Sequence, residues 1–337
     1  YMIFFALLSY WHFLYTNKAN TGKTELDDSI SKSAVPFILR WGIMAVVIPA
    51  SIFSLYSFNI KPVLAARSIL DALRLVTYSA DGSRTRNLGE GIKTLERGIG
   101  YDTFGTIEIR EQLAQYAERI DRDPVTPKED KIRFLDFALE QLKQQNESFP
   151  YDIRAKAFLS TLYGLVGDRA SSILKAQEGL AVSGQRQQFY FLLGEAYFKA
   201  GEEELAVKTM KAAYELAPEF PDAIHNYAVT LIFAGHPAEA ESLLKKHFGE
   251  EVLPDTKYIN AYAAIGRFDR LVVIWEKFVN KEPDNIQYRL NLASAHLKTF
   301  QDQKAIKELE KAIELAPSFK AQGEVFIKQI REGRVQR

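Results

Sequence analysis

Gln187, Leu193, Gly194, Tyr197, Gly201, Ala206, Ala213 and Pro218 set out a register of small, apolar and helix-ending residues that returns at intervals of 34. A period of that length describes a pair of helices that cannot bury its apolar face alone, so it commits the chain to a stack of such pairs. With Gln187 as position 1, Gly194, Ala206 and Ala213 stand at positions 8, 20 and 27, where two helices must approach closely. Gly201 at position 15 relaxes the turn between them, and Pro218 at position 32 ends the second helix because it has no N–H to donate. A forward shift of 34 finds Tyr227, Ala228, Leu231, Gly235, Ala240 and Leu244, and a backward shift finds Leu159, Ser160, Tyr163, Gly167 and Ser172. The next unit starts about three residues early, through Tyr262, Gly266, Trp275, Phe278 and Pro283, which predicts an irregular linker after Phe248. Leu292, Ala293, Ala305, Leu309, Ala312 and Pro317 then restore the register. Residues 319–331, with Val325, Phe326, Ile327 and Ile330 among polar neighbours, read as a capping helix for the open end.

This pattern resembles the tetratricopeptide repeat, which implies an all-α fold with a right-handed α-solenoid over residues 151–331. In such a stack, positions 2, 5, 9, 12 and 13 of each first helix face a groove that takes a partner protein or peptide. They fall here on Gln188, Phe191, Glu195, Phe198 and Lys199, and in the following repeat on Asp222, His225, Val229, Ile232 and Phe233. Phe191, Glu195, Phe198, His225, Val229, Ile232 and Phe233 are therefore the expected partner-binding residues. The competing expectation is that Phe198, Ile232 and Phe233 pack between neighbouring helices, since solenoid interiors also bury aromatics.

The amino-terminal part has another solvent. Residues 41–60 carry no charge and are flanked by Arg40 and Lys61, and twenty residues is the length a helix needs to cross a bilayer. Pro49 lies inside this stretch and is tolerated in lipid when a local distortion satisfies the freed carbonyl, while Trp41 and Tyr56 near its ends suit the interface. Residues 2–15 are apolar and aromatic but short for a span, and they read as the end of a helix whose earlier part precedes Tyr1. The expected organisation is a transmembrane region over 1–60, with a loop at 16–34 and a spanning helix at 36–60. Degenerate helical repeats or a linker follow over 61–150, and the repeats proper over 151–331. Within 61–150, helices are predicted over 62–76, 88–99, 107–120 and 131–142, with breaks at 79–83 and 123–127 and Thr126 as an N-cap.

Lys plus Arg and Asp plus Glu each number 43, so no net field draws the chain to nucleic acid. Cysteine is absent, which removes disulfides, thiolate metal sites and a cysteine nucleophile. His225, His236 and His247 are spaced by eleven, but the register puts them on a first helix, a turn and a second helix, without the convergence that a metal needs. Glu202, Glu203 and Glu204 open a helix, where negative charge favours the dipole. No phosphate-binding loop or nucleophile elbow is present, so no catalytic, cofactor or metal residue is assigned.

Residues 59–67 directly after the apolar stretch, Tyr101-Asp102-Thr103-Phe104-Gly105, and Ile109-Arg110-Glu111-Gln112-Leu113 resemble the join in bacterial O-antigen ligase and polymerase-type membrane proteins that carry carboxyl-terminal tetratricopeptide repeats. The resemblance implies the carboxyl end of an O-antigen ligase-like protein of surface polysaccharide biosynthesis in the cytoplasmic membrane. Its glycan-transferring residues and its lipid-linked glycan would belong to an upstream region. The alternative is a membrane-anchored repeat scaffold for protein–protein interaction with no enzymatic role.

Overall fold

The computed structural model describes Ser9 and residues 37–76 and 87–335. The expected helix at 2–15, Ser9 apart, the loop at 16–34 and the break at 79–83 lie outside these residues. Helix α1 (Phe37–Leu55) runs unbroken through Pro49. It does not stop at Ile60, as the sequence suggested. A single π-helical turn, Tyr56–Ile60, leads directly into α2 (Lys61–Val76). The cause is Pro62, which has no N–H to offer the carbonyl four residues back. In the turn before it the Lys61 N–H bonds the Tyr56 carbonyl, five residues back, and this widened turn lets the helix pass the proline.

Within 61–150 the described residues, 61–76 and 87–150, are largely helical. Helix α2 pairs with α3 (Leu88–Gly100), and α4 (Thr106–Arg122) pairs with α5 (Lys128–Ser148). The α2 and α3 backbones come close because Gly98 faces Ser68, whose Oγ would be 1.9 Å from a Cβ at position 98. Asn87 caps α3 by accepting the Glu90 N–H at 3.1 Å. The break before α5 differs from the expectation, since the N-cap is Pro127 without a side-chain bond. The Thr126 hydroxyl turns back to the Asp123 carboxylate at 2.5 Å. Ala65, Ala72, Leu95, Ile109, Leu113, Ile120, Phe134 and Leu142 form one core with Leu159 and Leu162 of α6 (Ile153–Leu165), so the upstream pairs continue into the repeats.

From α6 onward the pairs follow the register. They are α6 with α7 (Arg169–Val182), α8 (Gln187–Ala200) with α9 (Glu203–Leu216), and α10 (Pro221–Phe233) with α11 (Pro237–Phe248). Then come α12 (Thr256–Ala264) with α13 (Phe268–Lys281), and α14 (Ile286–Lys298) with α15 (Asp302–Leu315). The first helices α6, α8, α10 and α12 touch in succession and make one layer. Ala206, Ala213, Ala240, Ala305 and Ala312 are fully buried where the helices cross.

The turn residue at position 15 is left-handed in every one of these pairs, at Gly167, Gly201, Gly235 and Gly266 with φ between 71° and 82°. In the last pair that residue is Phe300, at φ 59°, a conformation that costs an L-residue roughly 1–2 kcal/mol. The irregular linker is found after Phe248. Gly249 ends α11 in the left-handed region, Val252 is buried, and the Lys277 ammonium donates to the Val252 carbonyl at 2.7 Å. The capping helix α16 (Lys320–Arg331) buries Ile327 and Ile330, whereas Val325 and Phe326 lie on its exposed side.

Candidate functional site

The expected groove residues come from α8 and α10, the adjacent first helices of two repeats. Phe191, Glu195 and Phe198 are spaced by four and three on α8, and His225, Val229 and Phe233 by four and four on α10, so each set shares one helix face. The structure joins the two faces through Phe198 and Phe233, both half-buried, with ring centroids 5.0 Å apart and planes tilted by 51°. Offset and tilted rings of this kind are held by quadrupole attraction as well as burial. Phe191 and Val229 are half-buried against the same core. Glu195 is exposed and its carboxylate meets the Lys199 ammonium at 2.7 Å, which places an ion pair beside the aromatic pair.

Two residues depart from the expected groove. Ile232 is fully buried, packed with Tyr227, Ala228 and Leu231, so it belongs to the core and is not offered to a ligand. His225 is engaged with the next repeat. Its Nδ1 is hydrogen-bonded to the Tyr258 hydroxyl at 2.6 Å, and its ring stacks on Phe248 with centroids 4.9 Å apart. Burial, and then the nearby Lys257 ammonium, hold the His225 ring below the ordinary histidine range, so it is neutral at pH 7. Burial pushes the Tyr258 phenol well above its usual range. The pair is a neutral strut between α10 and α12, and it fixes the distance between successive first helices.

A second polar cluster, not anticipated from the sequence, links α11 to the α12–α13 pair. The Arg270 guanidinium donates to both Glu241 oxygens at 2.8 and 2.6 Å, and the Tyr262 hydroxyl donates to Glu241 Oε1 at 3.3 Å. The three-residue offset of this repeat hides the partnership from a search at intervals of 34. His225, His236 and His247 lie on α10, at the start of α11 and near its end. Among the described residues no group of three or more His, Asp or Glu is placed to hold a metal.

Residues 187–220 and 286–319, the spans of α8–α9 and α14–α15 with their closing prolines, match the tetratricopeptide repeat family. These two segments are tetratricopeptide repeats. No curated protein sequence matches the chain. Among solved structures, a tetratricopeptide repeat protein from Parabacteroides merdae is similar at 14% identity and a TM-score of 0.49, over 80% of this chain and 99% of that one. A thermophilic tetratricopeptide protein of Thermus thermophilus is similar at 18% identity and 0.32, over 64% and 98% of the two chains. YrrB, described as a tetratricopeptide protein with an unusual peptide-binding site, is similar at 16% identity and 0.31, over 67% and 94%. Likeness at these scores adds nothing to what the helix pairs themselves show.

Proposed function

We propose that this protein is a membrane-anchored scaffold whose tetratricopeptide repeats dock a segment of another protein on the face made by α8 and α10. The observation that carries the docking surface is the half-buried Phe198–Phe233 pair, which bridges two repeats and leaves aromatic surface beside the Glu195–Lys199 ion pair. An apolar anchor flanked by a few side-chain hydrogen-bonding groups is what a groove needs to take an extended or helical segment. Anchoring is supported by α1 and its continuation. Met44–Val76 contains a stretch long and apolar enough to cross a bilayer, and every residue from 44 to 56 is exposed. An exposed apolar stretch of this extent marks a membrane or protein interaction surface.

The finer reading places the chain at the carboxyl end of an O-antigen ligase-like protein in the bacterial cytoplasmic membrane, serving surface polysaccharide assembly. It rests on the resemblance at the join alone, and its glycan chemistry would lie upstream of these residues. The scaffold reading is tested without knowing the partner, by selecting displayed random peptides against the full chain in detergent. Peptides with aromatic or aliphatic anchors are expected, and Phe233→Glu should weaken their binding at least about tenfold. Leu174→Glu, on the exposed side of the second helix α7, should leave it unchanged. Equal binding by wild type and Phe233→Glu would remove the docking face from this position.

A further inference from the structure

We infer that the turn between α3 and α4 is a second membrane contact, with Phe104 entering the bilayer interface beside the base of the long apolar helix; this rests on the reading of that helix as a membrane span. Phe104 is 78% exposed, an apolar ring at the tip of a short turn with no protein surface covering it. The turn is held firmly. Thr103 Oγ1 accepts the Gly105 N–H at 3.2 Å, the Thr106 hydroxyl oxygen accepts the Thr103 N–H at 3.1 Å, and the Thr103 carbonyl accepts the Thr106 N–H at 2.9 Å. Asp102 carries the reversal in a left-handed conformation at φ 47°. Phe104 is thus presented by a fixed platform.

The position of that platform selects the occupant. Helix α3 runs antiparallel to α2, since Gly91 faces Val76 while Gly98 faces Ser68, and continues back toward α1. The turn arrives beside Ala65, whose Cβ would lie 4.0 Å from a Cβ at Gly105. Ala65 is five residues past Ile60, the last residue of the uncharged stretch, which is about 7.5 Å along the helix at ~1.5 Å per residue. The headgroup layer on each side of the hydrocarbon is about 5–7 Å thick. With the turn offset about 9 Å from the α2 axis, a tilt of ~20° toward the side of the turn lowers it by about 3 Å. The ring therefore stands at the headgroup level, where aromatic side chains concentrate and an apolar group gains by leaving water. Val63, 66% exposed, lies at the same level on α2. Lys61, the first cation, has its ammonium 5.8 Å from the Tyr56 ring centroid, as a side chain at a water–lipid boundary does. The attraction is apolar, so it requires no anionic lipid. Asp102 is exposed next to Phe104 and keeps the turn from sinking further.

The absence of cysteine makes the test direct, because one introduced thiol is the only labelling site. The full chain, spin-labelled in turn as Phe104→Cys, Val125→Cys and Val46→Cys, is reconstituted in phosphatidylcholine vesicles, and collisions with oxygen and with a water-soluble nickel chelate are compared. Val125, 70% exposed, lies beyond the far end of the seventeen-residue helix α4 and reports water, while Val46 reports the hydrocarbon. Position 104 is expected to be shielded from nickel and accessible to oxygen, between the two controls. If position 46 is lipid-buried and position 104 matches position 125, the interfacial contact is overturned and the span survives. If position 46 itself meets nickel as readily as position 125, both fall together.

Discussion

Ile232→Glu is expected to lower the stability of the repeat stack by roughly 4 kcal/mol or more, whereas Phe233→Glu, one residue further, costs about 1–2 kcal/mol. Ile232 is fully buried among apolar side chains, so a carboxylate there has neither water nor a hydrogen-bond donor, and the core also loses the isoleucine packing. Phe233 is half-buried. Its replacement forfeits part of the apolar burial and the 5.0 Å ring contact with Phe198, but the carboxylate reaches solvent. Denaturant melts followed by circular dichroism separate the two. Equal losses would mean that position 233 is core, and the docking face would have to lie elsewhere.

Arg270→Ala should cost about 3 kcal/mol, because it strands the Glu241 carboxylate, whose side chain is 10% exposed, with the Tyr262 hydroxyl as its remaining donor among the described residues. The figure sits at the low end for a broken buried pair because Arg270 is itself about a quarter exposed and water can enter where it leaves. The reverse change, Glu241→Ala, should cost less, since the freed guanidinium can swing into solvent. Arg270→Met combined with Glu241→Met and Tyr262→Phe should recover most of the loss, as apolar groups then replace both charges and the buried hydroxyl that donates to Glu241. Melting of the three variants checks this ordering, and an Arg270→Ala chain that melts like wild type would contradict it.

The helix pairs were legible because their constraints are local. Gly201 and Gly235 mark turns that need a left-handed residue, Pro218 and Pro317 mark ends that need a missing donor, and the buried alanines mark close crossings. The continuation of α1 into α2 was not legible, because a proline after a polar-flanked apolar run signals a stop unless the backbone widens by one bond. The π turn at Tyr56–Ile60 is such a widening. Ile232 and Phe233 could not be separated either. They are adjacent on a helix at the edge of the apolar stripe, and which one turns inward depends on how α10 seats against its neighbours. The Glu241–Arg270 pair was hidden for a different reason, since its members sit on either side of the irregular linker 249–255. Phe104 gave no signal in the periodicity, because a single exposed ring in a turn acquires meaning only from the helix beside it.

Retention in the bilayer after an alkaline carbonate wash, followed by flotation of the washed membranes through a density gradient, tests most directly whether the long helix anchors the repeats. Twenty uncharged residues in a continuous helix, exposed at every residue from 44 to 56, should hold the full chain in the floating lipid fraction, since one proline costs far less than the apolar transfer provides. Recovery of the intact chain in the wash supernatant, with nothing floating, would contradict a membrane anchor.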